Sequence, residues 1–137
     1  MSEINDLDQI IASLNPALIP GEYVFITRPT GAYGDGAELA PFAVVAEREG
    51  LTLVVEKQRA DAAGESYQTT FRLITLQVHS SLEAVGLTAS IATSLAQRNI
   101  CVNIVAGFFH DHLFVQTARA EEAIEALSEL SAANKRG

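Results

Sequence analysis

The sequence has little of what several protein classes require. It holds a single cysteine, Cys101, so no internal disulfide can form. Cations are scarce: nine Lys and Arg stand against seventeen Asp and Glu, for a net charge of −8. Phosphate binding needs dense positive charge, which excludes nucleic acid as the main partner and anionic membrane surfaces with it. No apolar run approaches the roughly 20 residues that cross a bilayer. The N-terminus, MSEINDLDQ, is acidic and amphipathic and reads as no signal peptide. Catalytic signatures are missing too: no strained serine elbow with His and Asp, no paired metal motif, no cofactor fingerprint. We expect a soluble cytoplasmic protein with no cofactor and no resident metal.

What is present is core. Apolar residues make up 48% of 137 residues, enough to fold one ordinary domain or two small ones and to exclude intrinsic disorder. Ile4, Leu7, Ile10, Ile11 and Leu14 form one helical face, with Ser2 as N-cap and Pro16 as stop. The segment EYVFITR, Glu22 to Arg28, is β-branched and aromatic and predicts a strand. A glycine-rich loop follows from Pro29 to Pro41. Its GAYGDG lacks the Lys and Ser/Thr of a phosphate-binding loop. Phe42 to Arg48 and Leu51 to Glu56 predict a hairpin turning at Glu49-Gly50, and Lys57 to Ala63 a short helix that Gly64 ends.

Phe71 to Val78 alternates as a strand does, with Ile74, Leu76 and Val78 on one face. After a polar turn region from His79 to Gly86, Leu87, Ile91 and Leu95 make the stripe of a helix that Asn99 can cap. Cys101 to Phe109 and His112 to Thr117 predict strands around a His110-Asp111 turn, and Cys101 is expected as an inert buried thiol. Arg119 to Ala132 is an amphipathic helix, with Glu121 and Glu122 in its first turn and Lys135 and Arg136 just past its end.

The order is β–α–β–β–α in residues 67–137, most of a ferredoxin-like βαββαβ unit without its last strand. Residues 1–66 hold a helix and a similar unit whose first helix is replaced by the glycine loop. The fold class is therefore α+β, two ferredoxin-like halves, with domains at 1–66 and 67–137. Neither face of Cys101 to Phe109 is polar throughout, which points to a second surface and a homodimer.

Two strings, VHSSLEAVGLTASIATSLAQRNI (78–100) and NIVAGFFHDHLFV (103–115), resemble the ACT domain, a small ligand-binding module attached to many enzymes of amino-acid metabolism. Val85-Gly86-Leu87 stands where the family carries a Pro-Gly-Leu-like turn. With EGLTLVVE (49–56), the strings are similar to a bacterial family of small stand-alone proteins with two ACT-like halves. The resemblance implies a non-catalytic regulatory module that binds a small molecule, most often an amino acid, between paired units. It implies His79, Ser80, Ser81, Val85, Gly86 and Leu87 as the ligand loop and Asn103 and Val105 as the facing strand. Backbone N–H groups at a helix N-terminus suit a carboxylate.

Each candidate has a structural reading beside it. Gly86 can serve a ligand or a tight turn. Ser80-x-x-Glu83 matches a capping box. His110, Asp111 and His112 can cover the site or a subunit contact. Their i, i+2 histidines share a strand face, but turn chemistry explains them without metal. Two other functions stay open: a structural or protein-interaction module without ligand, and a small ferredoxin-like enzyme.

Overall fold

The computed structural model describes residues 6–79 and 84–136. In chain order the elements are α1 (Leu7–Ala12), β1 (Pro16–Leu18), β2 (Tyr23–Arg28), a 3₁₀ turn (Ala37–Leu39), β3 (Ala43–Glu47), β4 (Gly50–Glu56) and α2 (Lys57–Ala62). Then come β5 (Phe71–Leu76), α3 (Leu87–Ala96), β6 (Val102–Ala106), β7 (Asp111–Gln116), a second 3₁₀ turn (Thr117–Arg119) and α4 (Ala120–Arg136). They group into two compact units. One joins the residues up to Pro20 to those from Arg72 onward; the other is Gly21–Phe71.

In the larger unit the strands lie in the order β1–β5–β7–β6. That is the order of a full βαββαβ unit, with β1 in the place of its last strand. The strand that residues 67–137 lack is thus supplied by the N-terminal segment, where Pro16 pairs with Leu76 and Leu18 with Ile74. Pro16 opens this strand rather than merely stopping the helix. A proline fits there because the first residue of an edge strand need not donate to the ladder. The helices bury one face of the sheet. Ile10, Leu14, Ile74, Leu76, Ile91, Leu95, Leu113, Val115 and Leu127 form that core. Ser131 is buried in α4 and donates to the Ala12 carbonyl at 2.9 Å, tying α1 to α4.

The smaller unit runs β3–β4–β2, with Phe71 paired to Tyr23 beyond β2. Its core is Val24, Ile26, Leu39, Leu51, Leu53, Val55 and Ala60. No α-helix follows β2 here. The chain instead crosses the core as a loop that inserts Leu39. Gly36 makes this crossing possible: its φ is +82°, and a Cβ there would lie 2.5 Å from Leu53 Cδ1. Asp35 holds the loop by accepting the Ala32 N–H at 2.8 Å, and Arg28 pairs with Glu65 at 2.7 Å.

Several local expectations need correction. Ser2 lies outside the described residues; α1 is capped by Asp6, whose Oδ1 accepts the Gln9 N–H at 3.1 Å. The first hairpin turns at Arg48-Glu49, since Gly50 already pairs with Glu47. The second turn is Gly107 to His110 rather than His110-Asp111, because Asp111 pairs with Ala106. Cys101 precedes β6 and is exposed, not buried. Helix α4 continues through Lys135 to Arg136, so both residues belong to the helix rather than following it.

Candidate ligand site at the start of α3

Helix α3 is fixed by Leu87, Ile91 and Leu95, which recur every four residues and are all buried. Its C-terminus closes with Asn99 at φ +62° and the Ile100 N–H returning to the Leu95 carbonyl at 2.9 Å. Arg119 donates to the Arg98 and Asn99 carbonyls at 2.9 and 3.2 Å and satisfies that end further. The N-terminus is finished differently. Gly86 is its cap, at φ +97°, and as a glycine it makes no side-chain bond to the first turn. The first helical hydrogen bond runs from the Ser90 N–H to the Gly86 carbonyl at 2.9 Å, leaving the amides of Leu87, Thr88 and Ala89 ahead of the ladder. These amides carry the positive end of the helix dipole. Val85, just before the cap, is 87% exposed.

His79 leaves the end of β5 and is only 8% exposed. Its Nδ1 is buried and has no hydrogen-bond partner among the described residues. Its ring lies 5.7 Å from that of Phe109, which meets Phe108 edge-on at 5.0 Å. The two phenylalanines occupy the β6–β7 turn and stay 68% and 59% exposed at Phe108 and Phe109. This turn is tight: the Gly107 N–H donates to the His110 carbonyl at 2.9 Å, and a Cβ on Gly107 would come within 2.9 Å of that oxygen.

Asn103 and Val105 lie on β6, an edge strand, opposite Phe114 and His112 of β7. Residues opposed in register share a face. That face is turned away from the helices, because Leu113 and Val115 point into their core. Asn103 is exposed and Val105 half-buried. On the same face His112 Nδ1 and Thr75 Oγ1 share a hydrogen bond of 3.0 Å. Burial lowers the His112 pKa from its ordinary value, the neighbouring charge of His110 lowers it further, and Asp111 opposes them.

The structure therefore sorts the expected residues into two groups. His79, Val85, Gly86 and Leu87 gather where β5 gives way to α3; Asn103 and Val105 mark the open sheet edge. His110, Asp111 and His112 form the end of the β6–β7 turn and the start of β7. Ser80, Ser81 and Glu83, with the expected capping box, lie outside the described residues. Phe108 and Phe109 are residues the sequence reading passed over as strand. Two aromatics between Gly107 and a histidine are the signal that could have marked them, because large apolar residues are unusual at a hairpin tip. A shallow groove of about 680 Å³ lies elsewhere, between α3 and α4, where Arg98 is held by Glu125 and Glu129. Among the described residues no three His, Cys, Asp or Glu gather as a metal site, and no helix is long and apolar enough to cross a membrane.

A βαββαβ unit with a glycine-capped first helix, in one chain with a second unit of the same strand order, defines a tandem ACT-type module. The chain belongs to the ACT domain family, whose models match residues 2–72 and again 68–129. A Vibrio cholerae protein of unknown function, described as a possible transport protein, is 48% identical. That alignment covers 91% of this chain and 95% of the other, with a TM-score of 0.83. An Agrobacterium tumefaciens protein is 18% identical over 85% of this chain and 87% of its own, with a TM-score of 0.71. The regulatory subunit of aspartate kinase from Thermus flavus is 13% identical over 85% of this chain and 96% of its own, with a TM-score of 0.64. The last two likenesses speak for the fold alone. None of the curated proteins matches the chain. ACT domains are regulatory, effector-binding modules rather than catalytic ones, and as a member of the family the chain is no enzyme.

Proposed function

We propose that this protein binds a free amino acid and that binding biases its association with a second copy or with a regulated partner. Halves 1–66 and 67–137 are its two repeats, and it works as a cytoplasmic homodimer. The observation that carries the reading is the start of α3: a ten-residue helix whose cap residue is a glycine, which offers its first amides no side-chain partner. In a family of effector-binding modules, such a terminus is suited to a carboxylate. The ligand residues are His79, Ser80, Ser81, Val85, Gly86 and Leu87. Asn103 and Val105 come from the edge strand of the second copy, and His110, Asp111 and His112 flank the contact. The open edge of β6 supports this arrangement, since an unpaired edge strand is a ready surface for another chain.

A thermal-shift screen against the twenty amino acids tests the reading. A ligand at 100 times its Kd adds about 2.7 kcal/mol, a shift of several degrees for a chain of this size. A selective shift that is lost in Asn103→Ala and Gly86→Val supports it. A flat response to all twenty overturns it.

A further inference from the structure

We propose that the ligand carries an apolar side chain, received by Phe109, and that a polar group of the ligand completes the hydrogen bonding of His79. This rests on the amino-acid reading above and narrows it to a class. Two independent observations converge. The first is His79, a histidine more than nine-tenths buried whose Nδ1 has no partner among the described residues. A buried polar atom normally has a partner, and one without it marks a place where a ligand can supply the bond. The second is the aromatic step beside it. Phe109 touches the His79 ring at 5.7 Å, yet 59% of it is exposed, and Phe108 braces it from behind at 5.0 Å.

An aromatic pair held at a turn is costly to leave in water. This one is held firmly, since the turn is closed by the bond from Gly107 to His110 and admits only glycine at position 107. Val85, 87% exposed ahead of the α3 cap, is a further apolar residue on the same ligand loop. The surface at Phe109 favours Phe, Leu or Met over Asp, Lys or Gly.

The test is isothermal titration of the full chain with L-phenylalanine, L-leucine, L-aspartate, L-lysine and glycine. The variants are Phe109→Ala and His79→Phe. Phe109 is exposed, so its alanine variant folds; circular dichroism verifies this. We expect at least tenfold tighter binding of phenylalanine or leucine than of aspartate, lysine or glycine, and loss of that preference in Phe109→Ala. His79→Phe keeps a ring against Phe109 but removes the nitrogen. It weakens binding about tenfold while leaving the melting temperature of the free protein unchanged or raised. A merely structural histidine gives the reverse, a fall in melting temperature with binding intact. Equal or tighter binding of a charged amino acid overturns the apolar class and leaves amino-acid sensing standing. So does a Phe109→Ala variant that changes the sedimentation coefficient but not the titration. Absence of binding by every one of the twenty amino acids overturns the parent reading as well.

Discussion

The unit around β5–β7 and the unit around β2–β4 share a strand plan but cover it differently. The first closes its sheet with α1, α3 and α4, so it owns a helix whose N-terminus can face a ligand. The second replaces the corresponding helix by residues 29–42, plugs its core with Leu39 and keeps only the six-residue α2. Both solutions bury a sheet face. The first has a ten-residue helix capped by a glycine, whereas the second has only the six-residue α2. The difference teaches that repeat architecture and site chemistry are separable: replacing one helix by a loop spares the core, through Gly36 and Leu39, but leaves no helix N-terminus at that place.

The largest expected effects come from testing whether both cores matter equally. Leu95→Ala in the helical unit and Leu53→Ala in the loop-closed unit each remove a side chain with no exposure. Each is expected to cost about 2–5 kcal/mol in urea unfolding. If Leu53→Ala costs under about 1 kcal/mol, the loop cover is loose and the two units are not comparable structures. The next contrast lies between two glycines. A Cβ at Gly50 would fall 2.7 Å from the Pro29 Cα, a backbone atom that cannot yield, at φ +149°. One at Gly86 would meet only the tip of Leu7 at 2.9 Å, at φ +97°. Gly50→Ala is therefore expected to cost over about 2 kcal/mol, and Gly86→Ala about 1–2 kcal/mol. The reverse order in thermal unfolding shows that the α3 start is the more constrained of the two turns.

Much of this contrast was legible in the residues. The helical stripe Leu87-Ile91-Leu95 and the alternation of Ile74, Leu76 and Val78 set the elements of the larger unit, because burial on one face imposes a period. The loop that replaces a helix could be seen in Gly31, Gly34 and Gly36. What could not be seen was long-range. Pro16 to Leu18 is three residues long, too short for any periodicity, and becomes a strand only by pairing with β5. The β6–β7 turn was misplaced because Phe108 and Phe109 read as strand by propensity, whereas the close approach of Gly107 to His110 decides the geometry. Of the candidate site, Gly86 and His79 were found through family resemblance. The burial of His79 and its contact with Phe109 depend on the fold and leave no local trace.

A smaller effect distinguishes the ends of the two helices α1 and α3. Asp6 caps α1 through its side chain, so Asp6→Ala is expected to cost about 1 kcal/mol. Placing a carboxylate at the cap of α3 instead, as Gly86→Asp, sets a negative charge beside the amides proposed to receive the ligand carboxylate. Denaturant titration checks the first, and the second is expected to abolish amino-acid binding in the thermal-shift screen. Retained binding in Gly86→Asp shows that the ligand does not use the α3 amides.

The smallest effect is one of pH, and it belongs to one unit only. All three histidines fall between positions 79 and 112, so residues 21–71 carry none. His112 has its pKa lowered from the ordinary 6.5 by burial and by His110. The folded state then binds its proton less readily than the unfolded chain, and stability rises with pH between the two values. His112 thus contributes its full share above about pH 6.5, and that share is lost as pH falls from there through the lower folded value. Its bond to Thr75 couples the change to the pairing of β5 and β7. Hydrogen exchange is expected to speed up in β7 between pH 7 and pH 5, relative to β4 after correction for the intrinsic pH dependence. The difference should vanish in His112→Gln. An unchanged pH response in that variant shows that His112 is not its source, and an equal response in β4 shows that the two units open together.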